Sequence, residues 1–224
     1  MGSEMCIRDS LKKIPFMEPE VPAIAERNEI VAGQVMSTEV KCLRPVERAG
    51  VVYDLLSNCK HGAFPIVDTA TGGTLYGTAS RSMLCTLLKR RAFGSPDVLD
   101  DYDNGENLGP RRLSPLVQWD TIERAYPRYP EIQDVEMRES ERNCWVDLRP
   151  YANTAPYTVN ETASIQRTYR LFRTLGLRFL CVVNYNNQVV GIITRKDLLP
   201  DALSTSLLRG RNAHVIDEDI HHLS

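Results

Sequence analysis

The sequence predicts an α+β protein that consists of two copies of one β-α-β-β-α unit. The first observation is an internal repeat: residues 36–67 align without gaps on residues 152–183, an offset of 116 residues, and share their apolar pattern. The second is that the alignment resumes after a turn that is two residues longer in the first copy, so that Gly77 matches Gly191. Because such a small unit buries little apolar surface alone, we expect the copies to pack as a pseudo-twofold pair.

The first copy shows the periodicities of each element in order. Val52, Leu55, Leu56 and Cys59 are spaced i, i+3, i+4 and i+7, which predicts a helix that packs on one face. The apolar run AFPIV that follows has the length of a buried strand. The turn sequence ATGG then indicates a hairpin to a second strand.

The second copy repeats this order. Asn160 is a candidate N-cap, and Ile165, Tyr169 and Phe172 form the apolar stripe of a helix that Gly176 ends. The strand run RFLCVV and the turn YNNQ come next.

The composition limits the function classes. The chain has 224 residues, of which 42% are hydrophobic, enough for one large domain or two small ones. The formal net charge of −2 disfavours nucleic acid as the main partner, because phosphate binding needs clustered Lys and Arg. Two short basic clusters, LKRR and RGR, are interpreted as solvated helix ends, with contact to an anionic membrane surface as the alternative.

Neither a metal site nor a membrane span is expected. The six cysteines form no CxxC pair and have no histidine nearby at metal-ligand spacing, which favours a reducing compartment. His214, His221 and His222 lie in a polar tail, where a frayed terminus is favoured over a metal. No apolar run reaches the roughly 18 residues that a membrane helix needs.

The chain divides into segments by composition. Residues 1–10 resemble translated adapter sequence and are excluded as non-native, so the chain is taken as a fragment that lacks its natural start. Residues 143–151 alternate like an edge strand that leads into the second copy. The remaining boundaries are a leading linker at 11–34, the first copy at 35–93, a flexible Pro-, Gly- and Asp-rich linker at 94–142, the second copy at 143–203 and a tail at 204–224.

Several phrases carry a family resemblance that covers Lys13 to about Leu203. They are KIPFMEPE, VAGQVMS, AYPRYPEIQDVEM, VDLRPYANTAPYTV, LFRTLGLRFLCVV and VVGIITRKDL. The chain resembles the cytosolic C-terminal region of CLC chloride channels and chloride/proton antiporters. The endolysosomal and vacuolar branch is the nearest in sequence. That region is a pair of tandem CBS domains, also called a Bateman module.

The resemblance implies a nucleotide site at the end of the second copy. In CBS modules a Ser or Thr followed three residues later by Asp opens the last helix beside a cleft. Thr194 and Asp197 occupy those positions, where the hydroxyl and the helix N–H groups would meet phosphate and the carboxylate would accept from a ribose diol. Lys196 would screen the phosphates. The alternative is that Thr194 only caps the helix and Asp197 favours its positive end.

The same resemblance assigns the base to the first copy. Lys41, His61 and Gly62 occupy the positions that hold adenine in ligand-bound CLC modules. An aromatic residue is common at the position of His61, which here is interpreted either as a stacking group or as a polar residue that closes the preceding helix. The first copy has Ser80 and Met83 where the second has Thr194 and Asp197, so we expect one nucleotide site per chain at most.

These expectations favour a regulatory module that couples binding of ATP, ADP or AMP to anion transport. Its expected partners are the transmembrane domain of the same transporter, a second copy in a homodimer and an accessory subunit, at the cytosolic face of an endolysosomal or vacuolar membrane. The alternatives are a structural dimerisation module without a ligand, and the CBS module of a soluble protein. We expect no enzyme, because the chain lacks GxSxG, HExxH, P-loop and dinucleotide motifs.

Overall fold

The computed structural model describes residues 17–18, 20–27, 29–96, 115–124 and 126–208. These residues fall into two compact units. The continuous unit lies within Lys41–Pro156, and the split unit combines residues of Met1–Val40 with residues of Tyr157–Ser224.

The elements of both units follow the predicted α+β order. The helices are α1 (Ala23–Arg27), α2 (Ala32–Val35), α3 (Ala49–Asn58), α4 (Arg81–Lys89), α5 (Trp119–Glu123), α6 (Ile165–Leu175) and α7 (200–208). The strands are β1 (Val46–Arg48), β2 (Ala63–Asp68), β3 (Thr74–Ser80), β4 (Trp145–Asp147), β5 (Thr158–Asn160), β6 (Phe179–Val183) and β7 (Val189–Thr194). Short 3-10 turns occupy Ile132–Asp134, Glu139–Glu141, Arg149–Tyr151 and Arg195–Leu198.

The continuous unit is built on the predicted helix and hairpin of the first copy. On α3, Val52 and Leu56 of the predicted stripe are completely buried. The antiparallel strands β2 and β3 carry the AFPIV run, and β2 supplies Phe64 and Ile66 to the same apolar core. Helix α4 adds Leu84, Leu87 and Leu88 to this core.

The split unit has a three-stranded sheet in the order β5-β6-β7, with β5 parallel and β7 antiparallel to β6. Helix α6 covers it with the predicted stripe of Ile165, Tyr169 and Phe172. Gly176 ends α6 with a left-handed φ of 63°, as predicted.

The predicted N-cap of α6 is wrong. Ser164 caps the helix, since its hydroxyl accepts from the N–H of Arg167. The Asn160 side chain instead accepts from the N–H of Thr162 in a local turn after β5. Both residue types favour either role, so their position relative to the strand end decides which one caps the helix.

Each unit contains the leading segment of the other copy. Ser37, at the start of the first copy, exchanges two backbone hydrogen bonds with Ile192 of β7, at 2.9 and 3.0 Å. Asn153 takes the equivalent place in the second copy and exchanges two with Thr78 of β3, at 3.0 and 2.9 Å. The boundaries at 35 and 143 follow the repeat in the sequence, but the compact units begin and end elsewhere because these segments are exchanged.

The edge strand expected at 143–151 therefore joins a different sheet from the one predicted. Trp145–Asp147 forms β4 and pairs antiparallel with β1 inside the continuous unit, rather than leading the sheet of the second copy. Trp145 is completely buried there, and Tyr151 contributes to the same unit's core. Burial of these large side chains explains the pairing.

The expected flexible linker at 94–142 also differs where it is described. Residues 97–114 lie outside the described part. From 115 to 142, α5 and the 3-10 turn at Ile132–Asp134 place Ile122, Ile132 and the following Val135 in the core of the continuous unit. These apolar residues are spaced too irregularly to form a periodic pattern, which is why the sequence suggested a flexible connection.

Some expectations fall on residues that the structure leaves undescribed. The segment 1–16, most of the tail and its three histidines are among them, whereas 204–208 continue α7. Within the described ranges, no helix has the length and apolar character needed to cross a membrane. The same ranges hold no group of three or more metal-ligating His, Cys, Asp or Glu side chains.

Candidate functional site

The turn that follows β7 is held by one carboxylate oxygen. The backbone N–H and the hydroxyl of Thr194 both donate to Oδ2 of Asp197, each at 2.7 Å. Among the described residues no donor bonds Oδ1 of Asp197, whose side chain is half-buried. The capping role is therefore present, and it leaves one carboxylate oxygen able to accept further hydrogen bonds.

The helix expected directly after Thr194 begins later than predicted. Arg195–Leu198 forms a 3-10 turn, and α7 begins only at residue 200. Leu199 between them is extended, with ψ of 149°, as expected for the residue before Pro200. The turn at Thr194 is therefore separated from α7 by Leu199.

The two cations of the turn have different environments. Arg195 is buried and donates from Nε to the carbonyl of Leu177, at 2.7 Å, just beyond the end of α6. Lys196 is exposed. Lys196 is therefore the cation of this pair that a phosphate can approach from solvent.

Arg81 repeats the role of Arg195 in the continuous unit. Its guanidinium donates to the carbonyls of Leu56 and Cys59, at 2.5 and 2.7 Å, where α3 ends. Cations near a helix C-terminus are stabilising because the carbonyls there are unpaired. The repeat aligns Arg81 with Arg195, but no local sequence pattern predicts that either guanidinium bonds a backbone carbonyl.

The expected base-contacting residues lie in the continuous unit. Lys41 is exposed and stands two residues before Leu43, which pairs with Ile66 of β2. His61 and Gly62 are exposed and immediately precede β2. The His61 ring meets Phe64 edge-on, with centroids 6.3 Å apart.

The proposed helix-closing role of His61 is taken by Arg81. The α3 carbonyls accept from the Arg81 guanidinium, and the Gly62 carbonyl accepts from the Arg81 N–H at 2.9 Å. A Cβ built on Gly62 would have no heavy atom within 4 Å, so this backbone borders open space. The exposed imidazole and the open backbone next to it are both accessible to a ligand.

The first copy lacks the carboxylate at its matching turn. The Ser80 hydroxyl accepts from the N–H of Met83 at 3.2 Å and caps α4. The Met83 side chain is buried in the core of the continuous unit. No ribose-accepting group stands at position 83, as the sequence indicated.

A groove of about 430 Å³ follows the outer face of α6 and includes none of the expected site residues. It is lined by Ser164, Gln166, Arg167, Arg170, Leu171, Thr174 and Leu175. The structure thus places Thr194, Lys196 and Asp197 together in the split unit, and Lys41, His61 and Gly62 in the continuous unit.

Comparisons with known sequences identify relatives of this chain. Residues 148–201 match the sequence model of the CBS domain family. The H(+)/Cl(−) exchange transporter 7 of Bos taurus is 41% identical over 193 residues, 84% of this chain and 22% of the transporter. The chloride channel protein CLC-c of Arabidopsis thaliana is 33% identical over 198 residues, 86% of this chain and 24% of the channel. The chain thus spans about a fifth to a quarter of the length of these relatives.

Solved structures with a similar backbone include two CBS-domain proteins. One is CBSX2 in complex with AMP, with a TM-score of 0.46 and 17% identity, covering 78% of this chain and 97% of that one. The other is the CBS domain of a membrane protein from Sphaerobacter thermophilus, with a TM-score of 0.46 and 20% identity, covering 86% and 95%. Since both TM-scores are below 0.5, the family assignment rests on the sequence matches.

Proposed function

Because this chain belongs to the CLC family of chloride channels and H+/Cl− exchange transporters, as a part of it that carries a CBS module, we propose that it is a regulatory module. It binds an adenine nucleotide at the turn Thr194–Asp197 and thereby modulates the rate of anion transport. Its partners in this proposal are the transmembrane domain of the same transporter, a second copy and an accessory subunit, at the cytosolic face of an endolysosomal or vacuolar membrane.

The observation that carries the proposal is the arrangement at Asp197. One oxygen of this half-buried carboxylate holds the turn, and the other is left to accept from a ribose diol. The exposed Lys196 stands next to it for the phosphates. A carboxylate and a cation on adjacent residues match the two polar parts of a nucleotide.

The base is proposed to be held by Lys41, His61 and Gly62. The imidazole of His61 offers a flat surface for stacking, and the open backbone at Gly62 allows a close approach. An imidazole covers less of a purine than a phenol or an indole does, so the affinity is expected to be modest.

Regulation follows only if the nucleotide binds one conformation of the module better than another. Coupling energies of this kind are typically about 1 to 3 kcal/mol, or roughly 5- to 150-fold in an equilibrium. The expected effect on transport is therefore modulation rather than an on/off switch. The module itself is proposed to catalyse no reaction.

Calorimetric titration of ATP, ADP and AMP into the whole chain tests the proposal. We expect saturable heat with the native chain and a loss of affinity of about 10-fold or more for Asp197→Asn, the range for a hydrogen bond to a charged group. Asp201→Asn is the matched control, because it removes an exposed carboxylate of the same charge on the following helix. No heat at millimolar nucleotide, or equal losses in both variants, would contradict nucleotide sensing.

The second candidate is a structural dimerisation module that binds no small molecule. Two observations favour it: the bonds of Thr194 to Asp197 already serve a local structural purpose, and the matching turn carries Met83. Under this function the native chain does not respond to nucleotide, and Asp197→Asn changes only its thermal stability.

A further inference from the structure

The segment 17–37, which we call the strap, belongs to the split unit and packs on the second part of that unit, residues 157–208, along its described length. Its buried members are Met17, Ala25, Ile30, Ala32 and Val35, all in the core of that unit. Helix α6 binds it at three points. The Tyr169 hydroxyl donates to the carbonyl of Glu18 at 3.0 Å, the Gln166 amide donates to the carbonyl of Ala25 at 3.2 Å, and the N–H of Ile165 donates to the carbonyl of Ile30 at 2.8 Å.

The last two residues of the strap lie on β7, the strand that ends in the candidate site. Ser37 exchanges hydrogen bonds with Ile192, two residues before Thr194. The Met36 side chain lies directly over Gly191, within 2.6 Å at Cγ of where a Cβ on that glycine would be. Strand β7 therefore pairs with the end of the strap and leads directly into the Thr194–Asp197 turn.

We propose that the strap is the element through which the occupancy of the Thr194–Asp197 turn is passed to the part of the protein that precedes residue 17. The proposal rests on the function proposed above for the identity of the ligand. It adds a route: the signal leaves through β7 and the strap, and not through the leading segment of the second copy.

The physical basis is competition for the same polar atoms. In the structure the Thr194 N–H and hydroxyl are both committed to Oδ2 of Asp197. A phosphate oxygen that accepts from the Thr194 hydroxyl takes this donor away from Oδ2, which changes the bonds that fix Thr194 and, with them, the end of β7. Because Ser37 is bonded to Ile192 in both directions, the strap responds to the position of β7. Linkage is reciprocal, so a change in the strap must also change the affinity of the turn.

Amide hydrogen exchange of the whole chain tests this route with an internal control. The Ser37–Ile192 pair reports on the strap, and the equivalent Asn153–Thr78 pair in the continuous unit is the control. We expect Asp197→Asn to speed exchange at Ser37 and Ile192 by about 5-fold or more, the lower end of ordinary coupling, and to leave Asn153 and Thr78 unchanged.

Further variants separate local coupling from general loss of stability. Thr194→Val removes the hydroxyl donor alone and should act in the same direction as Asp197→Asn, so the test stands if one of the two does not fold. Gly176→Ala places a side chain at a left-handed position at the far end of α6, and should speed exchange throughout the split unit. If the Asp197 and Thr194 variants give that general pattern, or leave Ser37 unchanged, the proposed route is overturned.

Addition of ATP to the native chain separates this inference from the proposed function. If ATP binds and changes exchange at Ser37 but not at Asn153, both are supported. Binding without any change at Ser37 overturns the strap alone. If ATP does not bind, the proposed function fails, and the variants still decide whether the turn and the strap are coupled.

Discussion

The two units share one repeat but differ in how the chain passes through them. The continuous unit takes its exchanged segment, which includes β4 and Asn153, from residues that follow its own copy after the segment 94–142. The split unit takes its exchanged segment from 17–40, and the whole continuous unit lies between its two parts in sequence. Similar folds can therefore differ in chain connectivity, because one unit is a single stretch of sequence and the other is interrupted by the whole of its neighbour.

Excising the two units sharpens this comparison most strongly. We expect residues 41–156 to unfold cooperatively by circular dichroism in urea, since that fragment includes its exchanged segment. Residues 157–208 alone should not, because Ile30, Ala32 and Val35 would be missing from their core. Adding 17–40 through a designed linker should restore folding, whereas a cooperative transition of 157–208 alone would contradict the division.

Gly77 and Gly191, which the repeat aligns, should differ in how much stability they lose on substitution by alanine, and this is the next largest difference expected between the units. A Cβ on Gly77 would lie 2.6 Å from the backbone carbonyl of Asn153, which cannot move aside easily. The same change at Gly191 meets the Met36 side chain, whose Sδ and Cγ can rotate away although its Cβ, at 2.9 Å, is held by the Met36 backbone. We expect Gly77→Ala to cost about 2 to 3 kcal/mol of unfolding free energy and Gly191→Ala about 1. Gly62→Ala, with open space around it, is the control, and the opposite order of Gly77 and Gly191 would refute the assigned contacts.

Arg81 and Arg195 should each contribute a similar amount to the free energy of unfolding, and less than Gly77→Ala removes. Arg81→Met and Arg195→Met keep much of the side-chain volume but remove the donors to the carbonyls at the end of α3 and to the carbonyl of Leu177, two residues beyond α6. Each should lower the free energy of unfolding by about 1 to 2 kcal/mol, the range for a partly buried cation at a helix C-terminus. Denaturant melts measure this directly. Arg170→Met, at an exposed position in the middle of α6, is the control and should change little.

The smallest expected difference is in alkaline stability. Burial raises the pKa of the Tyr169 hydroxyl in the split unit above its ordinary value. Since the unfolded phenol titrates near pH 10, the folded state is favoured fully below about pH 10 and loses this contribution as the pH rises through the folded pKa. In urea melts from pH 8 to 11, the native chain should therefore lose more stability than Tyr169→Phe. Equal slopes would show that this hydroxyl stays exposed to solvent.

The continuous unit should respond at lower pH, because two of its thiols have raised pKa values. Burial raises the pKa of Cys42 and of Cys85 from the ordinary value of 9.0. Their contribution is complete below about pH 9 and lost above it, by the same sign argument. In the same urea melts, Cys85→Ala should lose less unfolding free energy than the native chain as the pH rises above about 9. The loss that depends on Tyr169 should remain.

The repeat, the α+β class and most helices and strands could be predicted from the sequence, because they depend on local periodicity. The stripe of α6 and its end at Gly176 are examples, since a few neighbouring residues decide both. The exchanged segments could not be predicted. An alignment of one copy on the other shows that Ser37 matches Asn153, but not which copy's strand each of them joins.

At the candidate site the residues could be named from a resemblance, but their bonds could not. The double use of Oδ2 of Asp197 depends on a 3-10 turn, which Leu199 and Pro200 impose after β7. The capping roles of Arg81 and Arg195 depend on where distant helices end. Such contacts join residues far apart in sequence, so no local pattern indicates them.

The central claim is that the acid-bearing turn of the second copy binds nucleotide and the matching turn of the first does not. The most direct measurement is an NMR titration of the isotope-labelled chain with ADP, following the amides of Thr194 and Asp197 beside those of Ser80 and Met83. We expect saturable shifts at the first pair and none at the second. Shifts confined to Ser80 and Met83, or absent from both pairs, would contradict the account.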